Sequence, residues 1–261
     1  MANSPSGDSM IERIARILES FSSTRVAQTS SDIARRAKLP HSTAHRLVAE
    51  LVDSGLLERE ESGAVRIGMR LWELTTRGSH ALGLRQLAMP FMEEVQSSVK
   101  EHTQLGVLEH DEVLFIERLS ERGAGANITK IAGRLPLNAS SSGLVLLAFA
   151  PQHYQNRILA GDLPALSRET ITDPDALRTK LAEIRKVGYA YAPGSVESVS
   201  TGIAVPISDS TGVIAALSVV LPRGTDNEDA RRAREAAAIA ALRHASTGLT
   251  NAISEVRFTS H

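Results

Sequence analysis

The chain is 261 residues long, with 29 Lys and Arg against 30 Asp and Glu, a net charge of −1 with histidine neutral, and no cysteine. That length can hold two domains, each burying its own core. Balanced charge excludes a global field for nucleic acid, so any DNA-binding surface must be a local patch. The lack of cysteine removes disulfide frameworks, thiolate catalysis and Cys-type zinc sites together. No apolar run approaches the ~20 residues of a membrane span, and MANSPSGDSM lacks the blocks of a signal peptide, so a soluble cytoplasmic protein is expected.

Residues 1–9 are polar, carry Pro5 and Gly7, and read as a disordered leader. Ile11, Ile14, Leu18 and Phe21 then recur on one helical face, predicting a first helix from Met10 that ends in SSTR. A second helix is expected over 31–37, with Ser30 or Ser31 as N-cap and Asp32 in its first turn. Pro40 suits the start of a third helix, in which Ala44, Leu47, Val48 and Leu51 form a buried stripe at i, i+3, i+4, i+7. Gly55 stops it, and LLERE with ESGAVRIG alternate like two strands around Ser62-Gly63. Three helices and a hairpin make a winged helix-turn-helix.

A further helix from Met69 to about Gly78 leads to a hinge at 78–83. Beyond it the pattern is mixed: a helix over 85–99 interrupted by Pro90, then strands TQLGVLEH and VLFIERL about a turn at Asp111-Glu112. Ile128–Ile131 is a candidate short strand, followed by a loop over 133–138. Helices are expected over 140–148, 152–160 and 174–187. TGIAVPIS-DSTG-VIAALSVVL has the form of a long hairpin, and an Ala- and Arg-rich helix ends the chain.

With those elements in order, the chain resembles the IclR family of bacterial transcription regulators. The carrying residues are ARILESF, DIARRAKLPHSTAHRLVAELVDSGLLERE and VRIGMRLWEL, then GRLPLNASSSGLVLLA, LAEIRKVGYA and GIAVPISDSTGVIAALSV. The resemblance implies a winged-helix DNA-binding domain joined by a helix to a GAF-like effector-binding domain, working as a dimer or tetramer. The expected fold class is therefore α/β (α+β), an N-terminal winged helix-turn-helix plus a GAF-like antiparallel sheet flanked by helices. Expected domains are residues 10–71 for DNA, 72–84 for the linker and 85–258 for the effector.

Between Ile33 and Ala49 there is no acidic residue, while Arg35, Arg36, Lys38 and Arg46 accompany His41 and His45. Such a cluster in a neutral protein is an electrostatic footprint. Arg35, Arg36 and Lys38 are assigned to phosphates, which fix position without reading sequence. Ser42, Thr43, His45 and Arg46 occupy the first turns of the recognition helix, which reach base edges, and Arg46 can donate to guanine O6 and N7 together. Arg59 and Arg66 on the wing strands are assigned to adjacent backbone or minor groove.

In the second domain, LPLNASSSG sets small polar residues before a helix, whose first N–H groups suit a carboxylate. The resemblance assigns Ser141, Ser142 and Ser218 to effector binding, with Ser140 and Asn138 in the same loop. It also marks departures from the family pattern: Ala192 replaces an acidic residue, Val220 a hydroxyl and Asn138 a histidine. A more apolar pocket follows, and with it an aromatic or otherwise hydrophobic acid.

Catalytic signals are missing. There is no G-x-S-x-G, HExxH or P-loop, and the glycines of residues 123–126 lack dinucleotide-site spacing. The eight histidines form no ligand pair, the glutamates of EVLFIER read as exposed strand residues, and Trp72 is expected to pack the linker helix. The sequence reads as a repressor of a catabolic operon, with double-stranded DNA, a small acid and itself as partners and no cofactor, metal or catalytic residue. The alternative is an enzyme with a fused winged helix.

Overall fold

The computed structural model describes residues 8–22, 24–121, 127–224 and 227–258. Most of the expected leader, the SSTR serine at 23 and the glycines of 123–126 lie outside them. The chain divides into two compact units, Met1–His80 and Ala81–His261.

In the first unit, helices α1 (Met10–Glu19), α2 (Ser30–Arg36) and α3 (His41–Asp53) precede strands β2 (Leu57–Arg59) and β3 (Val65–Ile67). A strand not anticipated, β1 (Ala27–Gln28), joins them in the order β1-β3-β2, all antiparallel. Helix α1 opens with a capping box between Ser9 and Glu12, and α2 is capped by Thr29 rather than by Ser30 or Ser31. The buried anchor of α1 is Ile17, whereas Ile11 is 79% exposed. Ala44, Leu47, Val48 and Leu51 of α3 pack with Ile17, Ile33, Leu57 and Val65 in one core, as the stripe predicts. Gly55, at φ +75°, ends the recognition-helix turn where a side chain would be strained. Helix α4 (Met69–Gly78) has no buried residue, and Trp72 is 63% exposed, so the expectation that it packs this helix is corrected.

The second unit is a six-stranded antiparallel sheet in the order β6-β5-β4-β9-β8-β7. Its strands are β4 (His102–Glu109), β5 (Glu112–Leu119), β6 (Arg134–Pro136), β7 (Ala190–Pro193), β8 (Ser200–Asp209) and β9 (Gly212–Pro222). Helix α5 starts at His80, not at 85, and runs to Val99 with Pro90 inside it. The β4–β5 turn falls on His110 and Asp111, both left-handed at φ 51° and 64°, the pairing a tight two-residue hairpin requires. Ile128–Ile131 forms no strand; Arg134–Pro136 takes the sheet edge instead.

Both sheet faces are covered, so the strands read as nearly continuous apolar runs. Ile203, Val205, Ile207, Leu217 and Val219 face α5 and the final helix α9 (Glu228–Phe258). Ala204, Ala216 and Phe115 face α6 (Ser141–Phe149), which also packs with α7 (Gln152–Leu159) and α8 (Pro174–Val187). Small residues dominate the centre of that second face, which lets α6 lie close to the sheet. Residues 141–148 of α6 are all buried, as expected of a helix apolar on every side. No helix among the described residues is long and apolar enough to cross a membrane.

A register irregularity between Leu105 and Gly106 re-aims β5. Beyond it Glu117 pairs with Leu105 on the α5 side, where it is 3% exposed and ion-paired with Arg85. The expectation of an exposed strand glutamate is thereby overturned.

Candidate functional site

The front of α3 presents His41, Ser42, His45 and Arg46 as exposed side chains, with Thr43 half-buried. Pro40 precedes α3 as its N-cap residue and makes no side-chain cap bond. His41 Nε2 lies 2.8 Å from Ser31 Oγ, tying α3 to α2. Lys38 sits in the intervening turn at φ 53°, a left-handed conformation that costs a non-glycine residue about 1 kcal/mol.

The cations are less isolated than the local sequence suggests, because carboxylates flank the acid-free stretch at both ends. Arg35 pairs with Asp32 at 2.5 Å, and Arg46 with Glu50 at 2.5 Å one turn along α3. The Thr29 hydroxyl, then Arg35 and Arg36, hold the Asp32 carboxyl below its ordinary range. On the wing, Arg59 donates to the Gly63 carbonyl, while Arg66 pairs with Glu58 at 3.0 Å. Glu58 also accepts from the Met69 amide at 2.8 Å; that bond first, and Arg66 second, lower its pKa. Arg36, Lys38 and His45 have no carboxylate at ion-pair distance among the described residues.

In the second unit a cavity lies at the head of α6. Ser140 caps the helix, its Oγ accepting from the Gly143 amide at 3.0 Å. Helix geometry leaves the first amides, those of Ser141 and Ser142, without an acceptor in the helix. Gly143 is required here, since a Cβ would stand 2.5 Å from the Leu137 carbonyl oxygen. Across the gap, a Cβ on Gly202 would meet Ser141 Oγ at 2.7 Å, so β8 approaches the α6 head only because position 202 has no side chain.

Ser140, Ser141 and Ser142 border the cavity together. Phe115, Leu135, Ala139, Ala192, Val196 and Val220 supply its apolar wall, which includes two of the three departures noted from sequence. The empty space among the lining residues, counted out to the open mouth, is about 400 Å³.

Two expected effector residues do not border this space. Asn138 is 2% exposed and spends its side-chain amide on the Pro164 and Ile171 carbonyls, at 3.1 and 2.8 Å. Ser218 stands behind Ser142, accepting its hydroxyl hydrogen at 3.0 Å. In this structure both support the loop and helix that carry Ser140–Ser142.

Sequence reading missed a second polar group in the lining. Gln104 of β4 donates to Thr129 Oγ1, and Arg118 of β5 to the Thr129 carbonyl. Asn127 Oδ1 accepts from the Thr129 amide at 2.9 Å and from its hydroxyl at 2.6 Å, while Glu197 accepts from the Ile128 amide at 3.2 Å. Gln104, Asn127, Thr129 and Glu197 all border the cavity. They come from two strand-flanking segments and a strand, with no local motif to announce them. Among the described residues that border the space, none is cationic, and no group of three His, Asp or Glu could hold a metal ion.

Comparison with known proteins places both units. The model of the IclR helix-turn-helix domain matches residues 10–61, and that of the bacterial transcriptional regulator IclR C-terminal domain matches residues 77–249. The crystal structure of an IclR homolog from Microbacterium hydrocarbonoxydans, complexed with 4-hydroxybenzoate, is 53% identical with a TM-score of 0.85, covering 94% of this chain and 98% of its own. The Escherichia coli regulator XynR is 31% identical over 215 residues, 80% of this chain and 84% of its own length. The Pca regulon regulatory protein of Pseudomonas putida is 27% identical over 78% of this chain and 70% of its own. A three-helix unit with a small sheet, followed by a six-stranded sheet enclosing a cavity, thus takes its place in a known line of descent: the chain belongs to the IclR family of bacterial transcriptional regulators, which bind DNA through the helix-turn-helix.

Proposed function

We propose that this regulator is a cytoplasmic, homo-oligomeric repressor of a catabolic operon, and that it answers to an aromatic monocarboxylic acid, 4-hydroxybenzoate or a close analogue. The observation that carries the reading is the cavity itself, where an uncharged cluster of serines and helix-head amides faces a wall of Phe115, Leu135, Ala192 and Val220. Helix-head amides and hydroxyls suit one carboxylate, and the apolar wall suits a ring. The 4-hydroxybenzoate complex of the 53% identical homolog supports the same class of ligand.

On this reading residues 10–71 engage DNA, 72–84 connect and 85–258 sense. Arg35, Arg36 and Lys38 take phosphates, His41, Ser42, Thr43, His45 and Arg46 face base edges, and Arg59 and Arg66 serve the wing. Releasing Arg46 from Glu50 costs about 0.3–0.5 kcal/mol for an exposed i,i+4 pair, less than the roughly 1–3 kcal/mol a guanine fork contributes. The pair therefore holds the guanidinium ready without blocking it. Two recognition helices at fixed spacing are needed for paired half-sites, which calls for a dimer or tetramer. The effector acts through its differential affinity for DNA-competent and incompetent states.

The test selects operator DNA from a random library with the full chain and measures its affinity with and without 4-hydroxybenzoate. A shift of about fivefold or more is expected. Binding of the acid with unchanged DNA affinity would overturn the regulatory reading, and a reporter whose expression falls when the chain is removed would overturn repression.

A further inference from the structure

Beside the serine cluster, the cavity is lined by a second set of polar groups that includes Asn127 and Glu197. Asn127 Oδ1 is committed to the amide and hydroxyl of Thr129, which fixes the orientation of the side-chain amide. Its Nδ2 is then buried with no hydrogen-bond partner among the described residues, on a residue that borders the cavity. Glu197, reaching the same segment through the Ile128 amide, is the one ionisable side chain among the described residues bordering the cavity. A carboxylate has about four lone-pair sites, and the Ile128 amide occupies one of them.

Resting on the effector reading above, we propose that Asn127 and Glu197 read a hydroxyl on the far end of the effector and exclude a second carboxylate. A hydroxyl both donates and accepts, so it satisfies the Asn127 donor and the Glu197 acceptor at once. A bare ring edge leaves the buried Nδ2 unmatched, which is the arrangement that discriminates most strongly against an analogue lacking the polar group. A carboxylate offers no donor and sets a second negative charge beside Glu197 with no cation in the lining to offset it. The pair thus sets specificity within the class of aromatic acids, a role separate from the Ser140–Ser142 end.

The test is calorimetric titration of the full chain and its variants with three probes: benzoate, 4-hydroxybenzoate and terephthalate. Wild-type protein is expected to prefer 4-hydroxybenzoate to benzoate by about ten- to a hundredfold and terephthalate least. Glu197→Gln keeps an acceptor but removes the charge, so terephthalate should gain about tenfold or more relative to 4-hydroxybenzoate. Asn127→Asp keeps the oxygen that Thr129 needs and replaces the donor, so the preference for 4-hydroxybenzoate over benzoate should fall to within about threefold of unity. Asn127→Ala should do the same, and unfolding of that variant leaves the aspartate variant to decide. Wild-type protein that binds none of the probes overturns the effector reading and this inference with it. Wild-type protein that binds benzoate-class acids, with either ratio unmoved by its variant, overturns this inference alone.

Discussion

The recognition face and the effector cavity handle charge in opposite ways. On the first unit arginines stand in solvent and are paired loosely, Arg35 with Asp32 and Arg46 with Glu50, each partner more than two-fifths exposed. Exposed pairs of this kind contribute under about 1 kcal/mol, so they yield readily to a phosphate or a guanine. Among the described residues that line the cavity of the second unit none is cationic and Glu197 alone is ionisable, while the buried carboxylate of Glu117 is on the other face of the sheet, held by Arg85 from α5. The recognition face keeps cations exposed, whereas the cavity lining sets dipoles and a single carboxylate in their place.

The buried pair offers the largest effect by which to break this contrast. Arg85→Ala leaves Glu117, 3% exposed, without its counter-charge and should destabilise the protein by about 2–3 kcal/mol in urea denaturation. Arg85→Met with Glu117→Leu should recover most of that loss, since a matched apolar pair removes the desolvation cost from both sides. A single variant as stable as wild type would show that interior charge here is no more expensive than surface charge.

Next in size is Arg46→Ala, expected to weaken operator binding by about ten- to a hundredfold and to relax preference at one base position, with acid binding unchanged. Gel shifts across single-base operator variants check it, and uniform weakening would move Arg46 into the phosphate-contacting group. Lys38→Ala should weaken all DNA about equally and lower the salt slope by about one. Lys38→Gly should do the same to DNA while relieving the left-handed backbone, raising the melting temperature where alanine does not.

The smallest effect concerns an exposed pair in the second unit. Arg157, with Tyr154, holds the Asp111 carboxyl down to about 2 from its ordinary 3.8. Because the folded value is depressed, its stabilising contribution is present above about pH 4 and is lost as pH falls from there through about 2. Asp111→Asn should flatten the acid limb of stability in that window by lowering neutral-pH stability slightly, the two proteins converging near pH 2, as followed by thermal melts.

Features that declare themselves over a few neighbouring residues were legible in the sequence. The stripe of α3, the Gly55 stop, the small-residue head of α6 and the long β8–β9 hairpin all appear where periodicity or turn chemistry set them. Features that depend on distant partners were not. A two-residue strand such as β1 has no periodicity, and Thr29 outcompetes two serines as cap because of where the chain enters α2. The Leu105–Gly106 irregularity reverses which side Glu117 faces, and no alternation count can foresee it. In the cavity, the serine cluster was readable, but Gln104, Asn127, Thr129 and Glu197 are brought together by the sheet order, and the carbonyls that Asn138 meets belong to Pro164 and Ile171, far along the chain.

The bare backbone at position 202 has a corollary for any redesign of this wall. A methyl group there would meet Ser141 Oγ at 2.7 Å, so strand β8 and the head of α6 share one steric constraint, and a change of volume on either is transmitted to the other.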